Sequence, residues 1–427
     1  MLSHMDVFTR LESNVRSYCR HFPAVFASAQ GPWLTATDGR RYLDLLCGAG
    51  SLNYGHNDTL IMERVIDYIR SAGVLNSLDL HTVAKANFLQ AFDNIILSPR
   101  QLSYKVQFTG PTGTNAIEAA IKLARKVTGR TCIAAFTGGF HGMTLGSLAA
   151  TCNPAARAAA GVPLDHVTFL PYQGYLGPTV DSMDYIETLL GRVGSGISRP
   201  AAALIELVQG EGGLSSVTTD WICRLAHLCK ELGILLIVDD IQAGCGRTGQ
   251  FFSFEPLGIV PDIVVLSKSL SGFGAPFSLL LMRPDLDVWQ PGEHNGTFRG
   301  NNLAFVGATA VIEHYWSDAA FSRAIQVRAD LVYDRLSQIA RSLPTGAARV
   351  KGRGLLTGLE FNDPTIGEAT SKRLFERGLI AETCGACHQV LKLLPSLNID
   401  LRDLRFALDV IANEIVDAPR PKLALAS

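Results

Sequence analysis

The chain has 427 residues, 47% of them hydrophobic and only 18% charged, with a formal net charge of −1. That length exceeds what one hydrophobic core usually serves, so two or more packed units are expected. Near-neutrality removes the electrostatic case for nucleic acid or an anionic membrane, no apolar run approaches the ~20 residues that span a bilayer, and the polar, charged first 20 residues do not read as a signal peptide, so the expected compartment is the cytoplasm.

Residues 8–19 have the spacing of an amphipathic helix. Residues 33–46 read as a hairpin turning at Asp38-Gly39, with alternating apolar residues on both sides. The glycine-rich run 48–56 is a loop, either a plain connector or a wall of a substrate site. Residues 59–71 and 81–93 are helical by spacing. A strand at 105–109 opens through Gly110 into an alanine-rich helix reaching Arg125. Strand, glycine turn and helix N-terminus in succession form a candidate phosphate cradle, in which Gly113 lets the backbone come close and Thr114 adds a hydroxyl. The plain alternative is an ordinary strand-to-helix turn. A strand at 132–136 ends in Gly138-Gly-Phe-His-Gly142, where Phe140 is placed either to pack or to stack on a flat heteroaromatic ring. Residues 200–206 form a strand ending in Glu206, and 221–231 a helix with Gly233 as its C-cap.

The branched apolar run 234–238 reads as a strand buried on both faces. It delivers Asp239 to its C-terminal end, where open α/β sheets bind ligands. Residues 262–268 repeat the pattern and deliver Lys268. An acid and an amine at one sheet edge point to a cofactor held by a ring nitrogen and bonded through a carbonyl, the chemistry of pyridoxal 5'-phosphate. Asp239 would keep the pyridine nitrogen protonated, Gln242 could reach the ring hydroxyl, and Lys268 would bond the carbonyl and, once released, move a proton. A free lysine has a pKa of ~10.4, so that last role requires a downward shift.

The alternation from 103 to 282 predicts a mainly parallel sheet with covered faces. The tail changes character: a long helix at 317–343, short strands at 352–361, 374–380 and 390–394, and a helix at 402–417 predict a smaller α+β domain. The expected division is an N-terminal segment 1–57 joining that small domain, a large domain 58–315, and a C-terminal unit 316–427. Two motifs are set aside. Gly244-Cys-Gly-Arg-Thr-Gly249 fits Gly-x-Gly-x-x-Gly, but an aromatic stretch ending in Pro256 follows where a dinucleotide site needs a helix. Cys384-Gly-Ala-Cys387-His388 matches covalent haem attachment, which requires export, and a zinc site would need a fourth ligand. The nine cysteines therefore read as free thiols, and no metal is expected.

Taken together, Gly113-Thr114, Gly139-Phe-His-Gly142, Glu206 to Gly213, Asp239 to Gly249, Ser267-Lys268 and Gly296 to Asn302 resemble the class III (fold type I) PLP-dependent aminotransferases, in that family's order over most of the chain. The resemblance implies an α/β fold with a large domain around a mainly parallel sheet plus a smaller α+β domain. It also implies a homodimer with active sites at the interface, Phe140 stacked on the ring with His141 beside it, and Thr297 given to the partner's phosphate site. The segments 10–20, 48–57, 78–82 and 106–115 resemble the ectoine-type, diaminobutyrate-forming branch, which implies amination of L-aspartate 4-semialdehyde by L-glutamate. Two departures concern the substrate site. Met143 stands where members acting on 4-aminobutyrate carry arginine. Lys392 stands where many members carry a late arginine facing the glutamate that is here Glu211. A lysine can neutralise Glu211 or meet a substrate carboxylate, but without a bidentate fork. An ω-amino acid aminotransferase or aminomutase of the same class, or a scaffold without catalysis, are the competing readings.

Overall fold

The computed structural model describes residues 4–416. Its centre is a seven-stranded sheet whose strands lie in the order Lys105–Phe108, Leu279–Met282, Ile263–Leu266, Leu235–Asp239, Ala202–Ile205, Ile133–Phe136 and Val167–Leu170. The last five of these pair in parallel, and Leu279–Met282 runs antiparallel to both its neighbours. Every residue of the strands at 133–136, 202–205, 235–239, 263–266 and 279–282 is buried, which is why these segments are unbroken apolar runs. Helices Gly113–Thr128 and Thr219–Leu232 pack on the sheet, and Gly233 caps the second in the left-handed region at φ 59°. The predicted mainly parallel architecture is the one observed.

Two four-stranded sheets flank this body. One is built from Phe26–Gln30, Trp33–Ala36, Arg41–Asp44 and Leu379–Ile380, the other from Ala348–Arg353, Leu356–Phe361, Val390–Leu393 and Glu382–Cys384. The hairpin at Asp38-Gly39 has the expected antiparallel register, Trp33 opposite Leu43 and Thr35 opposite Arg41. Segments far apart in sequence meet here, since Leu379–Ile380 adds in parallel to Arg41–Asp44.

Three elements differ from the sequence reading. The helix over 8–19 is broken into His4–Leu11 and Tyr18–His21. Between them the Ser13 hydroxyl accepts from Val15 N–H, a local bond that competes with helix continuation. The strand at 352–361 is a hairpin of two strands, 348–353 and 356–361. The first part of the predicted strand at 374–380 is helical: Pro364–Glu376 is a helix started by Asp363, whose carboxylate accepts from Thr365 N–H at 3.0 Å, with proline at the first position. Only Leu379–Ile380 is extended. The helix Asn302–Tyr315 had no counterpart in the reading; it packs against Thr59–Arg70 and Val83–Ala91. The final helix is Leu401–Val416, and residue 417 lies outside the described residues.

The glycine run 244–249 forms turns, with Arg247 wholly buried in the middle. Its guanidinium donates to the Asn53 side chain and to the carbonyls of Leu355 and Pro395. The residues that imitate a nucleotide loop thus tie the N-terminal segment, the central body and the C-terminal strands together. Just before them the chain carries two successive aspartates that face different surroundings. Asp239 meets His141, described below. Asp240 is buried beneath the turn, with one carboxylate oxygen accepting from Ser253 N–H at 3.0 Å and the other without a partner among the described residues. Burial lifts its pKa to about 7, against the Ser253 hydrogen bonds and the charge of Arg353. An unfolded aspartate titrates near ~3.9. The native carboxyl therefore holds its proton more tightly than the unfolded one, and stability falls as pH rises from about 4 to about 7. Asp240→Asn keeps an acceptor for Ser253 and removes that cost, so its thermal midpoint should exceed that of the wild type by about 2 °C at pH 8 and not at pH 4. Melting curves at the two pH values check this.

Candidate active site

The carboxyl ends of the parallel strands bring the predicted groups to one place. Asp239, 4% exposed, ends the Leu235–Asp239 strand. Its Oδ2 lies 2.7 Å from Nδ1 of His141, and its Oδ1 accepts from Ile241 N–H at 3.1 Å. His141 is itself held through its N–H by the Thr151 hydroxyl at 2.9 Å. Burial opposes a charged imidazole, but the hydrogen bond and charge of Asp239, with Glu206 behind, raise His141 above the ordinary histidine value. Glu206 accepts from Phe140 N–H at 2.9 Å and from Gly210 N–H at 3.1 Å, so the acid at the end of the neighbouring strand holds the loop that carries Phe140. Burial lifts Glu206 to about 7, offset in part by His141 and by those two donors.

Lys268 follows the strand Ile263–Leu266 and stands in the left-handed region at φ 51°, a costly conformation for a side chain this size. Hydrogen bonds on both sides keep it there: the Ser267 hydroxyl donates to Phe277 O at 2.9 Å, and the Ser269 hydroxyl to Gly50 O at 2.5 Å. The lysine Nζ donates to Ala49 O at 2.7 Å. Gln242 Nε2 donates to the same carbonyl at 3.1 Å. The glycine-rich loop 48–56 is therefore a wall of the site. Burial, with the nearby charge of Lys392 and against that of Glu211, pushes the Lys268 pKa down, the direction a proton-moving lysine needs.

Gly113 and Thr114 open the helix Gly113–Thr128, whose first N–H groups are those free to meet an anion. Gly113 packs against Ile241, and the Thr114 hydroxyl lies 2.6 Å from both the Thr144 and Ser147 hydroxyls. The cradle is thus joined to the Asp239 strand on one side and to the Phe140–His141 loop on the other. At the opposite end Glu211 Oε1 meets Lys392 Nζ at 2.7 Å, and a second carboxylate, Glu382 Oε1, lies 2.9 Å from the same nitrogen. Burial works against the Lys392 charge, but Glu211 and Glu382 hold its pKa well above the usual lysine value. Burial likewise opposes the Glu211 carboxylate, and Lys392 with Lys268 brings it below the usual range. Met143 is exposed.

Thr297, expected at the phosphate site of a partner chain, is exposed, on a loop joined to the helix Gly113–Thr128 through Glu293 and Lys126, and among the described residues no hydrogen bond ties it to the cluster around Lys268. Glu382 and the Ala49 carbonyl were not anticipated. A backbone acceptor leaves no mark in side-chain patterns, while Glu382 carried a signal, a lone acid in an otherwise apolar stretch. In the motif at 384–388, Cys384 is buried and Cys387 exposed.

The residues present fit the predicted cofactor. Gln242 Oε1 is buried without a hydrogen-bond partner among the described residues, three residues after Asp239 on a side chain that shares the Ala49 carbonyl with Lys268, as an acceptor for a ligand hydroxyl would be. Gly210 must be glycine for that side chain to lie where it does, since an added Cβ would come within 1.8 Å of the Gln242 oxygen.

Comparison with known proteins agrees with this geometry. The sequence pattern of the family Aminotransferase class-III matches residues 15–415. A diaminobutyrate–2-oxoglutarate transaminase of Bordetella parapertussis is 52% identical over 415 residues, 97% of this chain and 95% of the relative. One from Streptomyces anulatus is 53% identical over 408 residues, 96% of this chain and 97% of the relative. In structure, the ornithine aminotransferase of Toxoplasma gondii superposes with a TM-score of 0.82 at 22% identity, covering 98% of this chain and 96% of that one. A transaminase from the marine bacterium Virgibacillus gives 0.81 at 19% identity, covering 98% and 96%. No helix among the described residues is long and apolar enough to cross a membrane. With a family match spanning nearly the whole length, the chain belongs to the class III aminotransferases.

Proposed function

We propose that this protein transfers the amino group of L-glutamate to L-aspartate 4-semialdehyde, giving L-2,4-diaminobutyrate and 2-oxoglutarate, with pyridoxal 5'-phosphate as cofactor. The observation that carries the reading is the convergence of Asp239, Lys268 and the Gly113–Thr128 helix N-terminus at one sheet edge, together with just over 50% identity to diaminobutyrate–2-oxoglutarate transaminases along nearly the full chain.

When bound, the cofactor supplies a carbonyl that carries the amino group and a ring that accepts an electron pair from the substrate carbon. The protein's own groups account for the rest. Gly113 and Thr114 would hold the phosphate, Phe140 would stack on the ring, and Gln242 would meet the ring hydroxyl. Asp239 would hold the proton of the ring nitrogen, with His141 orienting that carboxylate through its 2.7 Å bond. Lys268 moves the proton between carbon atoms, aided by the burial that lowers its pKa. Lys392 takes the carboxylate on the reacting carbon of glutamate when Glu211 gives way. With a substrate that reacts at a terminal carbon, Glu211 stays on Lys392.

The same reading assigns Thr297 to the phosphate site of a second copy. Support comes from an exposed apolar surface around it: Leu75, Leu78, Leu80, Val83 and Phe298 are all open to solvent in one chain, and segments 75–77 and 300–302 are hydrogen-bonded together. A homodimer would cover them. The N-terminal segment 1–57 is assigned with 316–427 to a smaller domain, supported by the Arg41–Asp44 and Leu379–Ile380 pairing, and the protein is placed in the cytoplasm.

The reaction is tested by supplying L-glutamate and L-aspartate 4-semialdehyde and following 2-oxoglutarate. Turnover with alanine but not glutamate would favour the ω-amino acid reading instead. Lys268→Ala should abolish the visible absorption of the bound cofactor's carbonyl link and lower turnover by at least about 10²–10⁴-fold. Lys392→Ala should raise KM for glutamate by roughly tenfold, the loss of one charge-assisted carboxylate contact; unchanged glutamate kinetics would remove Lys392 from substrate recognition.

A further inference from the structure

Lys392 is an ammonium with no exposed side-chain surface, and it faces two carboxylates at once, Glu211 at 2.7 Å and Glu382 at 2.9 Å, plus the Gly210 carbonyl at 3.3 Å. Lys392 donates to Glu211 and to the Gly210 carbonyl, and Glu382 adds a second negative charge beside it. The two carboxylates are not equivalent. Glu382 lies directly across the antiparallel pair from Lys392, on the strand Glu382–Cys384 against Val390–Leu393, so backbone hydrogen bonding fixes their separation. Its side chain is 9% exposed. Glu211 sits on the loop that follows the strand Ala202–Ile205, with its side chain 34% exposed. Both carboxylates border a cavity of about 960 Å³ that also takes in Tyr18, Arg20, Arg40 and Lys372, Glu211 from a loop and Glu382 from a paired strand. One counter-ion is locked by the sheet, and the other has room to leave.

We propose that Glu382 is a positioning residue that sets substrate selectivity: it is the permanent counter-ion of Lys392, and it weakens the hold of that lysine on a substrate carboxylate. The inference rests on the proposed reaction, in which donor and acceptor differ at the reacting carbon. Glutamate carries a carboxylate on it; the aldehyde carbon of aspartate 4-semialdehyde carries a hydrogen in that place. When glutamate enters, its carboxylate replaces Glu211 and meets a lysine already neutralised by Glu382. Without Glu382 the lysine would present its full charge, and glutamate and 2-oxoglutarate would occupy the site at the expense of the semialdehyde. Glu382 thus keeps two chemically different substrates in balance at one lysine.

The test compares the holoenzyme with Glu382→Gln, which keeps an acceptor for Lys392 but removes the charge, and Glu382→Asp, which keeps the charge farther away. The readouts are KM for L-glutamate, KM for L-aspartate 4-semialdehyde, and the Kd of glutarate, an unreactive dicarboxylate, by calorimetry. Removing one nearby negative charge should tighten glutarate and lower the glutamate KM by about tenfold in the Gln variant, with no matching gain for the semialdehyde, and by less in the Asp variant. A structural role alone would weaken every substrate together. Glutarate binding that is unchanged or weaker in whichever of the two variants folds overturns the proposal. If the wild type does not turn over this substrate pair, the proposed reaction fails, while the glutarate measurement still decides the role of Glu382.

Discussion

A carboxylate drawn out of water at the end of a buried strand has to be met by a partner, and in this protein the partner of Asp239 is His141, 2.7 Å away. Much of the surrounding structure exists to keep that pair in place. Thr151 holds the histidine backbone, and Glu206 holds the N–H groups of Phe140 and Gly210. The Thr114 hydroxyl then joins the helix N-terminus to Thr144 and Ser147, just beyond the same loop. The helix N-terminus at Gly113, the Phe140 loop and Asp239 are thereby positioned by one connected set of hydrogen bonds rather than by three separate ones. The acid next in sequence, Asp240, takes no part in this set. It is turned under the following turn, where burial alone dominates its titration.

A second electrostatic element operates at the substrate end. Lys392 is buried and Lys268 partly so, and their charges oppose one another, yet their pKa values move in opposite directions. The difference lies in the counter-charges. Lys392 has two carboxylates within 2.9 Å, whereas the Lys268 ammonium is hydrogen-bonded to a neutral carbonyl, that of Ala49. Charge is therefore favoured at Lys392 and disfavoured at Lys268, the difference that the proposed carboxylate-binding and proton-moving roles would use. Glu211 acts on both, which links events at the substrate-binding end to the basicity of the central amine.

Arg247 has a comparable organising role without chemistry. Wholly buried, it gathers Asn53, Leu355 and Pro395 around the glycine turn that follows the Asp239 strand. The loop 48–56, which walls the site through Ala49, and the strand that carries Lys392 are thus referenced to the same turn. The arginine explains why a sequence resembling a nucleotide-binding loop appears at this point. The glycines allow tight turns around a guanidinium instead of an approach to a phosphate.

The central sheet was legible in the sequence because strands buried on both faces must be continuous apolar runs, and Asp239, Lys268 and Glu206 stood out as charges at their ends. The hairpin at Asp38-Gly39 and the cap at Gly233 were legible because turn and cap geometry select particular residues locally. The helix at 364–376 was misread in part as a strand, since its C-terminal turn runs into a true strand within three residues and apolar spacing over so short a span does not separate the two. What the tertiary structure alone decided is which groups share an environment. The pairing of Lys392 with Glu382 depends on the register of two strands, its pairing with Glu211 spans 181 residues, and the Ala49 carbonyl meets Lys268 across 219. Local composition determines where charges and turns occur along the chain; only close packing at long range determines which of those charges are deprived of water together, and it is that shared desolvation that gives them their chemistry.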